Sequence, residues 1–566
     1  MSEPFLRLTR LNDYVDHWAA KLADRPAMIQ HEDGKTVGYA RFRTLIDYFA
    51  LRLIAMGIKP GDRVASLLVL VPEHLALLYA CLRIGAILAP LDVRLKDEEV
   101  VRDINKIDPR AFFFLGDTPV RDFRTAGKAV QEHCPSVIHR VQFTPDPGPG
   151  DLLEGAVGIV QLMDKKRLLA LKVKDLFARR LKKIYSRVTA DTPALIIFTT
   201  GTTGDPKPAL LNHRNIIVQN EVLARGLEAV AGGDMRILIN LPPSHVGCLT
   251  ECFMTCMAVG GTAVMLRIFD PRQSLEAIQA HRVTALGMIP TQYRMLWAEP
   301  DYDQYDLSSV QNAAYAGAAG DLPFLQRLQK MAPRIFTGIG MTENAGFATV
   351  TPAGIPVEEM VGQVGRAFPD LANVTVRKPM QSDGSAGAEL PNGEIGEICY
   401  HPPIVFAGYF NMPEETAKAV STEGILYTGD LGRFEDNGSY RALYLSGRRK
   451  FMIKQKGYNV FPDEVEDHIA RMSGVAAAEV VGMPHELFDE GIVAFVQPAA
   501  GKAIDPEQVL AHCKKIASYK RPQHVAMWPA DEAFPLTRTA KVDKLALIGR
   551  AAEIVEALRR AGGWDR

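Results

Sequence analysis

The sequence predicts an α/β fold: a large N-terminal body of several subdomains with mostly parallel sheets, followed by a small α+β C-terminal domain. Three observations point there. Short apolar runs alternate with amphipathic stretches along most of the chain up to Gly447, the pattern of parallel strands joined by helices. After Gly447 the texture shifts to a few strands with two intervening helices. The 566 residues also exceed what a single hydrophobic core organises.

Taken in order, Val64–Val71 reads as a buried strand and Glu73–Ile84 as a helix by its apolar periodicity. Ile237–Leu241, Thr262–Leu266, Ala285–Ile289 and Arg334–Phe336 read as further strands between helical segments. In the smaller unit, Phe451–Ile453, Val475–Val481 and Ile492–Val496 read as strands, and Glu464–Arg471 and Pro506–Ile516 as helices. The charged stretch Arg448–Lys450 suits an exposed connector, so the expected domains are residues 1–447 and 448–566.

Two segments invite a special role and also have an ordinary one. Asp164–Arg187 carries ten Lys or Arg against two Asp, with leucines interleaved. Such a basic amphipathic stretch suits peripheral contact with an anionic membrane or an acidic partner. The favoured reading is a surface excursion whose apolar side packs on the body. Cys248, Cys252 and Cys256 are four apart, which on a helix sets them on one face. A metal site would want Cys-x-x-Cys or added His ligands, so packing is expected instead.

Composition narrows the class. The apolar fraction is 47%, the charged fraction 23% and the net charge −1. These values describe a globular chain with no global field for nucleic acid. The first residues, MSEPFLRLTRLND, lack the apolar run of a signal peptide. Seven Cys without paired short spacing suit reduced thiols and a cytoplasmic setting. Oligomeric state is not legible.

The most informative stretch is Phe198–Lys207, FTTGTTGDPK, which follows the apolar run Ala194–Phe198. Gly201 and Gly204 allow the backbone to curl its N–H groups towards an anion. Thr199, Thr200, Thr202 and Thr203 supply hydroxyl donors, and Lys207 a mobile charge. A triphosphate grip is the natural use. It is not a Walker A loop, because Pro206 and Pro208 flank the lysine where that pattern needs Gly-Lys-Ser/Thr.

This string resembles the phosphate loop of the adenylate-forming superfamily, which includes acyl-CoA synthetases, peptide-synthetase adenylation domains and luciferases. Four further blocks follow in order: GEIGEICYHPPIVFAGYFNMPEETAKAV within Leu390–Val420, Tyr427–Leu431, GRRKFMIKQKGYNVFPDEVED from Gly447, and PLTRTAKVDK at Pro535–Lys544. The resemblance implies an ATP-dependent carboxylic acid–CoA ligase working through an acyl-adenylate, with ATP, Mg²⁺ and coenzyme A. A carboxylate cannot expel hydroxide at neutral pH. Attack on the α-phosphate of ATP replaces hydroxide by AMP, a good leaving group for a thiol.

Residue roles follow from the same resemblance. In Gly338–Glu343, the Thr342 hydroxyl is expected to donate to the α-phosphate and Glu343 to hold Mg²⁺, with Gly340 and Met341 beside them. Ile339 stands where the family has an aromatic ring on adenine, and Gly317, Ala318 and Ala319 edge the adenine pocket. Asp430 is expected to accept both ribose hydroxyls, with Arg448 on the ribose and phosphate side. Lys541 is expected to neutralise the bridging oxygen as pyrophosphate leaves, although Ala540 replaces the usual preceding glycine. Lys450 is the expected hinge, making the small domain mobile, and Gly457 lets the pantetheine arm pass. The chain also departs from the family in having Thr200 for Ser and Pro208 for Gly.

His245 in Pro243–Gly247 matches a histidine beside the acyl pocket. No Asp lies between Leu241 and Glu251 to hold a substrate ammonium, so a plain acid is expected. Cys248, Thr250, Gly287–Thr291, Ile339 and Ala345–Phe347 would form walls for a fatty, cyclic or aromatic acyl group. Two other readings stay open: transfer of the acyl group to a carrier protein, and a silent acyl- or nucleotide-binding relative.

Overall fold

The computed structural model describes residues 5–144, 148, 150–199, 206–317, 320–455, 458–537 and 541–565. The chain forms two compact units. The first comprises 1–374, 383–385 and 400–426, and the second 375–382, 386–399 and 427–566. By compactness, therefore, the strands leading up to Gly447 group with the C-terminal residues.

The first unit holds two seven-stranded sheets. One runs Arg334–Thr337, Asn312–Tyr315, Ala285–Met288, Arg236–Ile239, Thr262–Met265, Pro26–Gln30, Thr36–Gly38, parallel except for its last strand. The other runs Val157–Gly158, His139–Phe143, Ala111–Leu115, Arg63–Leu67, Ile87–Pro90, Pro193–Phe198, Pro208–Asn212, again parallel except for its last pair. Strands buried on both faces read as short continuous apolar runs rather than alternating ones, which is why Val64–Leu67, Leu286 and Ile335 were legible. Leu238, Val264, Leu286, Tyr293, Phe324 and Ile335 share one core cluster of the first sheet.

Helix Pro72–Ile84 shows local and tertiary signals agreeing. Pro72 opens it, Gly85 closes it at φ +70°, and nearly every side chain between is buried. The cysteine stretch differs in detail from expectation. Gly247–Met254 is a π-helix that passes into an α-helix at Thr255–Val259. The Thr250 hydroxyl lies within hydrogen-bond distance of two carbonyl oxygens, Val246 O (2.9 Å) and Ala345 O (2.7 Å), contacts of the kind that accompany a widened turn. All three cysteines remain buried, and burial pushes their thiols upward. Among the described residues no group of three or more His, Cys, Asp or Glu is placed to hold a metal.

The basic segment forms two helices, Lys165–Ala178 and Arg180–Tyr185, broken where Arg179 adopts φ +49°. Leu168 and Leu181 pack inward, but Leu169, Leu176 and Phe177 are exposed, so only part of the apolar surface packs on the body. Among the described residues no helix is long and apolar enough to cross a membrane.

The second unit contains all but the end residues Val374, Tyr400 and Leu426 of a four-stranded sheet, Val374–Arg377, Gly396–Tyr400, Leu426–Asp436, Arg441–Arg448, and a five-stranded sheet centred on Val475–His485 and Asp489–Pro498. Helices Pro462–Ala470 and Pro506–Cys513 contribute Val465, Ile469, Val509 and Cys513 to its core. The expected strand Phe451–Ile453 is displaced: Arg449–Phe451 makes a 3₁₀ turn and the strand is Ile453–Gln455.

Candidate active site

In the first unit the strands that flank the expected phosphate loop, Pro193–Phe198 and Pro208–Asn212, pair antiparallel. Phe198 pairs with Pro208, and Thr199 N–H donates to Lys207 O at 2.9 Å. Pro208 is the first residue of its strand, a place where a missing N–H is tolerated. Thr200, Gly201, Thr202, Thr203 and Gly204 lie outside the described residues, so the hairpin is defined here by its two ends.

A later segment lies along the hairpin's outer strand. Leu210 N–H donates to Gly408 O (2.9 Å), Ala407 N–H to Leu210 O (2.9 Å) and Phe410 N–H to Pro208 O (2.8 Å). These bonds place Tyr409 between the hairpin and the Gly340–Asn344 stretch. Its hydroxyl donates to Glu343 Oε1 at 2.6 Å, while Phe406 N–H donates to Glu343 O at 2.8 Å. Burial, the Glu343 charge and this hydrogen bond together push the Tyr409 phenol far above its ordinary range, so it stays a donor.

Lys207 is held in the same cluster. Its Nζ lies 2.5 Å from Glu415 Oε2 and 5.2 Å from the Tyr409 ring centroid. Lys207 and Lys418 hold the Glu415 carboxyl down at about 2. Tyr409 links Lys207 to Glu343, and Glu415 pairs with Lys207.

The Glu343 loop itself depends on close backbone approach. Asn344, fully buried, accepts Met341 N–H at 2.7 Å and donates to Gly346 O at 2.6 Å. A Cβ on Gly340 would lie 1.7 Å from Gly346 O, and one on Gly338 1.9 Å from Thr349 O. Only glycine permits either contact. Thr342 is half-buried beside Glu343. Ile339 is buried, its N–H bonded to Thr349 Oγ1 at 3.1 Å. Gly317 turns at φ +85° after the strand Asn312–Tyr315, and Ala318 and Ala319 lie outside the described residues.

The expected acyl walls partly converge. The Thr250 hydroxyl reaches Ala345 O, and a Cβ on Gly287 would stand 3.1 Å from Cys252 Sγ. Gly346 abuts the Glu251 side chain, whose Cγ would lie 2.5 Å from an added Cβ. His245 is half-buried and its Nδ1 accepts Gly247 N–H at 3.0 Å, which in the neutral ring puts the proton on Nε2.

In the second unit Asp430 and Arg448 are cross-strand partners, with Arg448 Nε 2.9 Å from Asp430 Oδ1. Asp430 is buried and Arg448 exposed. Glu397, 2% exposed, accepts Gly429 N–H and Arg449 Nη1, each at 2.8 Å. Burial pushes the Glu397 carboxyl up and Arg449 opposes this. Glu397 thus holds the strand at Gly429, where φ is +77°, next to Asp430, a role the sequence did not suggest.

Lys541 stands exposed beside an isolated antiparallel bridge. Leu536 bridges Val542, Thr537 N–H donates to Lys541 O (2.7 Å), and Asp543 N–H to Pro535 O (2.7 Å). Asp543 then caps the helix Lys544–Arg560 through Leu545 N–H and Ala546 N–H. Lys450 is exposed in the 3₁₀ turn that follows Arg448. Gly457 and Ala540 lie outside the described residues.

Comparison with known proteins agrees with these features. The model of the AMP-binding enzyme family matches residues 15–410, and that of the AMP-binding enzyme C-terminal domain matches 464–541. This chain belongs to the AMP-binding enzymes. Feruloyl-CoA synthase of an Amycolatopsis species is 30% identical over 528 residues, covering 93% of this chain and 96% of the relative. Indoleacetate–CoA ligase of Aromatoleum aromaticum is 30% identical over 536 residues, covering 94% and 96%. The ATP-bound crystal structure of MatB from Rhodopseudomonas palustris superposes with a TM-score of 0.76 at 26% identity, over 96% of this chain and 99% of that one. The chain is therefore an AMP-forming acid–CoA ligase of the adenylate-forming superfamily, with ATP and CoA as substrates.

Proposed function

We propose that the ligase activates a hydrophobic carboxylic acid, aromatic, cyclic or aliphatic, and passes it to free CoA. The observation that carries the site assignment is the Lys207, Glu415, Tyr409 and Glu343 cluster, in which the Tyr409 ring lies against the cation that ends the threonine-rich stretch and its hydroxyl holds the buried Glu343 carboxylate. In the first half-reaction a substrate carboxylate oxygen bonds to the α-phosphorus of ATP, and the bond to pyrophosphate breaks. Lys207 and the loop hydroxyls hold the phosphates, Thr342 donates to the α-phosphate, and Lys541 meets the charge on the departing oxygen. Asp430 accepts the ribose hydroxyls and Arg448 steadies Asp430. In the second half-reaction the CoA sulfur bonds to the acyl carbon, and AMP leaves with the electron pair of the broken bond.

Glu343 fits Mg²⁺. It offers a buried hard-oxygen donor, and among the described residues no protein cage competes for the ion. The rest of the coordination sphere would come from phosphate oxygens and water, as is usual for this ion. Bound there, Mg²⁺ would neutralise phosphate charge.

His245 and the walls Cys248, Thr250, Gly287–Thr291, Ile339 and Ala345–Phe347 are assigned to the acyl side. Lys450 is the pivot between a body at 1–447 and a mobile domain at 448–566, with Gly457 along the pantetheine path. Relatives named for ferulate and indoleacetate support a ring-bearing acid. The buried thiols suit a reducing, cytoplasmic setting. The test is a panel of aromatic, alicyclic and fatty acids, read out by pyrophosphate release and loss of free CoA thiol. Hydrophobic acids should support both. Turnover confined to short polar acids, or to a pantetheinylated carrier protein in place of CoA, would contradict the proposal.

A further inference from the structure

The helices of the basic segment leave a face that ligase chemistry does not use. Helix Lys165–Ala178 carries apolar residues on two opposite sides. Leu168, Leu171 and Asp175, at i, i+3 and i+7, turn towards the body, and Leu168 is 4% exposed. Leu169, Val173, Leu176 and Phe177, at i, i+4, i+7 and i+8, turn away, with exposures of 63%, 49%, 72% and 83%. A contiguous patch of large apolar side chains this exposed marks an interaction surface.

Charge surrounds it. All ten Lys and Arg between 164 and 187 are exposed. The two acids of the segment are occupied as caps: Asp164 Oδ1 accepts Arg167 N–H and Asp175 Oδ1 accepts Leu181 N–H, each at 2.9 Å. The pair of helices is also anchored. The Tyr185 hydroxyl donates to Asp13 Oδ1 at 2.6 Å, its carbonyl accepts from Arg10 Nη1 at 3.0 Å, and the Arg10 guanidinium stacks 3.9 Å from its ring centroid. Leu168 thus seats the first helix, which carries the crest, and Tyr185 ties the second helix to the body.

We infer that this face docks on an anionic lipid bilayer. Leu169, Val173, Leu176 and Phe177 enter the boundary between headgroups and acyl chains, and the flanking lysines and arginines lie against lipid phosphates. Charge complementarity selects this occupant. A dense local positive field on a chain of net charge −1 matches a uniformly anionic sheet. The four crest residues carry no side-chain hydrogen-bonding group with which to select a particular acidic protein. The inference does not depend on which acid the ligase activates.

The test uses the full chain, sedimented with phosphatidylcholine vesicles or with vesicles of phosphatidylcholine and phosphatidylglycerol in equal parts. Binding should appear only with the anionic vesicles and should weaken as salt is raised. Each cation at the surface is expected to contribute about fivefold, so Lys182→Glu with Lys183→Glu should lower the partition coefficient by more than about tenfold. Leu176→Asp with Phe177→Asp should lower it by a similar factor while leaving turnover of a water-soluble acid intact, since both side chains are exposed. Equal binding to both vesicle types, binding to neither, or full retention by the aspartate variant would overturn the inference. Lipid-free self-association abolished by the same aspartates would also overturn it, and would assign the face to a second copy of the chain.

Discussion

Replacing Tyr409 by Phe removes one oxygen from the centre of the proposed site. That oxygen makes a 2.6 Å bond to a carboxylate on a residue only 6% exposed, within the usual length for O–H···O⁻. Losing a hydrogen bond to a charged group costs about 1.5–3 kcal/mol. If the Tyr409 bond holds Glu343 in its working orientation, that energy is lost from the adenylation transition state. Acid-dependent pyrophosphate exchange should then fall between about tenfold and about 150-fold, and the Mg²⁺ concentration for half-maximal exchange should rise. The ring itself remains, so strand pairing at Leu210–Gly408 and the Lys207 contact with the aromatic face are preserved. Thioester formation from supplied acyl-adenylate should stay within about twofold of the parent, because that step makes no new demand on the phosphate end. The reasoning is refuted if thermal stability drops while pyrophosphate exchange and its Mg²⁺ dependence do not change. The bond would then serve only the fold.

Four further outcomes are expected. Lys541→Ala should slow adenylation by about 150-fold, the effect of about 3 kcal/mol from a preorganised donor, and spare the thioester step; equal loss of both steps would remove the assignment. Lys450→Pro should do the opposite by stiffening the pivot, and unchanged thioesterification kinetics would deny that the turn moves. Gly340→Ala drives a Cβ into Gly346 O, which cannot swing aside; a penalty of about 3 kcal/mol should appear as collapse of adenylation, and a variant within about threefold of the parent would show that the loop relaxes. The fourth concerns acid stability. Burial lowers His74 and His213 from 6.5 to about 4, so between those values the unfolded chain binds more protons than the folded one. Stability should therefore be level above pH 6.5 and decline as pH falls towards 4, by up to about 3 kcal/mol per histidine; urea midpoints that do not fall across this window would contradict it.

Much of the fold was legible because buried parallel strands announce themselves as short apolar runs, as at Val64–Leu67 and Ala285–Met288. The errors have local causes. Arg179 ends a helix at φ +49° without being Gly or Asn, so the break before Arg180 carries no sequence signal. The π-helix at Gly247–Met254 looks α-helical by spacing, and its widened turn coincides with a hydroxyl bond to Ala345, ninety-five residues away. Phe451 and Met452 are apolar enough for a strand, but Phe451 ends the 3₁₀ turn Arg449–Phe451 and Met452 follows as its cap. At the candidate site, Lys207, Glu343 and Asp430 are named from their motifs one at a time. The residues that support them could not be: Glu415 and Tyr409 reach Lys207 and Glu343 across 208 and 66 positions, and Glu397 accepts the N–H of Gly429, next to Asp430, across 32, spacings that leave no periodic trace.

The central claim is that an acyl-adenylate is formed at the hairpin ending in Lys207. Exchange of labelled pyrophosphate into ATP, with the best acid of the panel and no CoA present, tests it most directly. The account predicts exchange that requires both acid and Mg²⁺ and nearly vanishes in Lys207→Ala. Exchange independent of the acid, or undiminished in that variant, would contradict it.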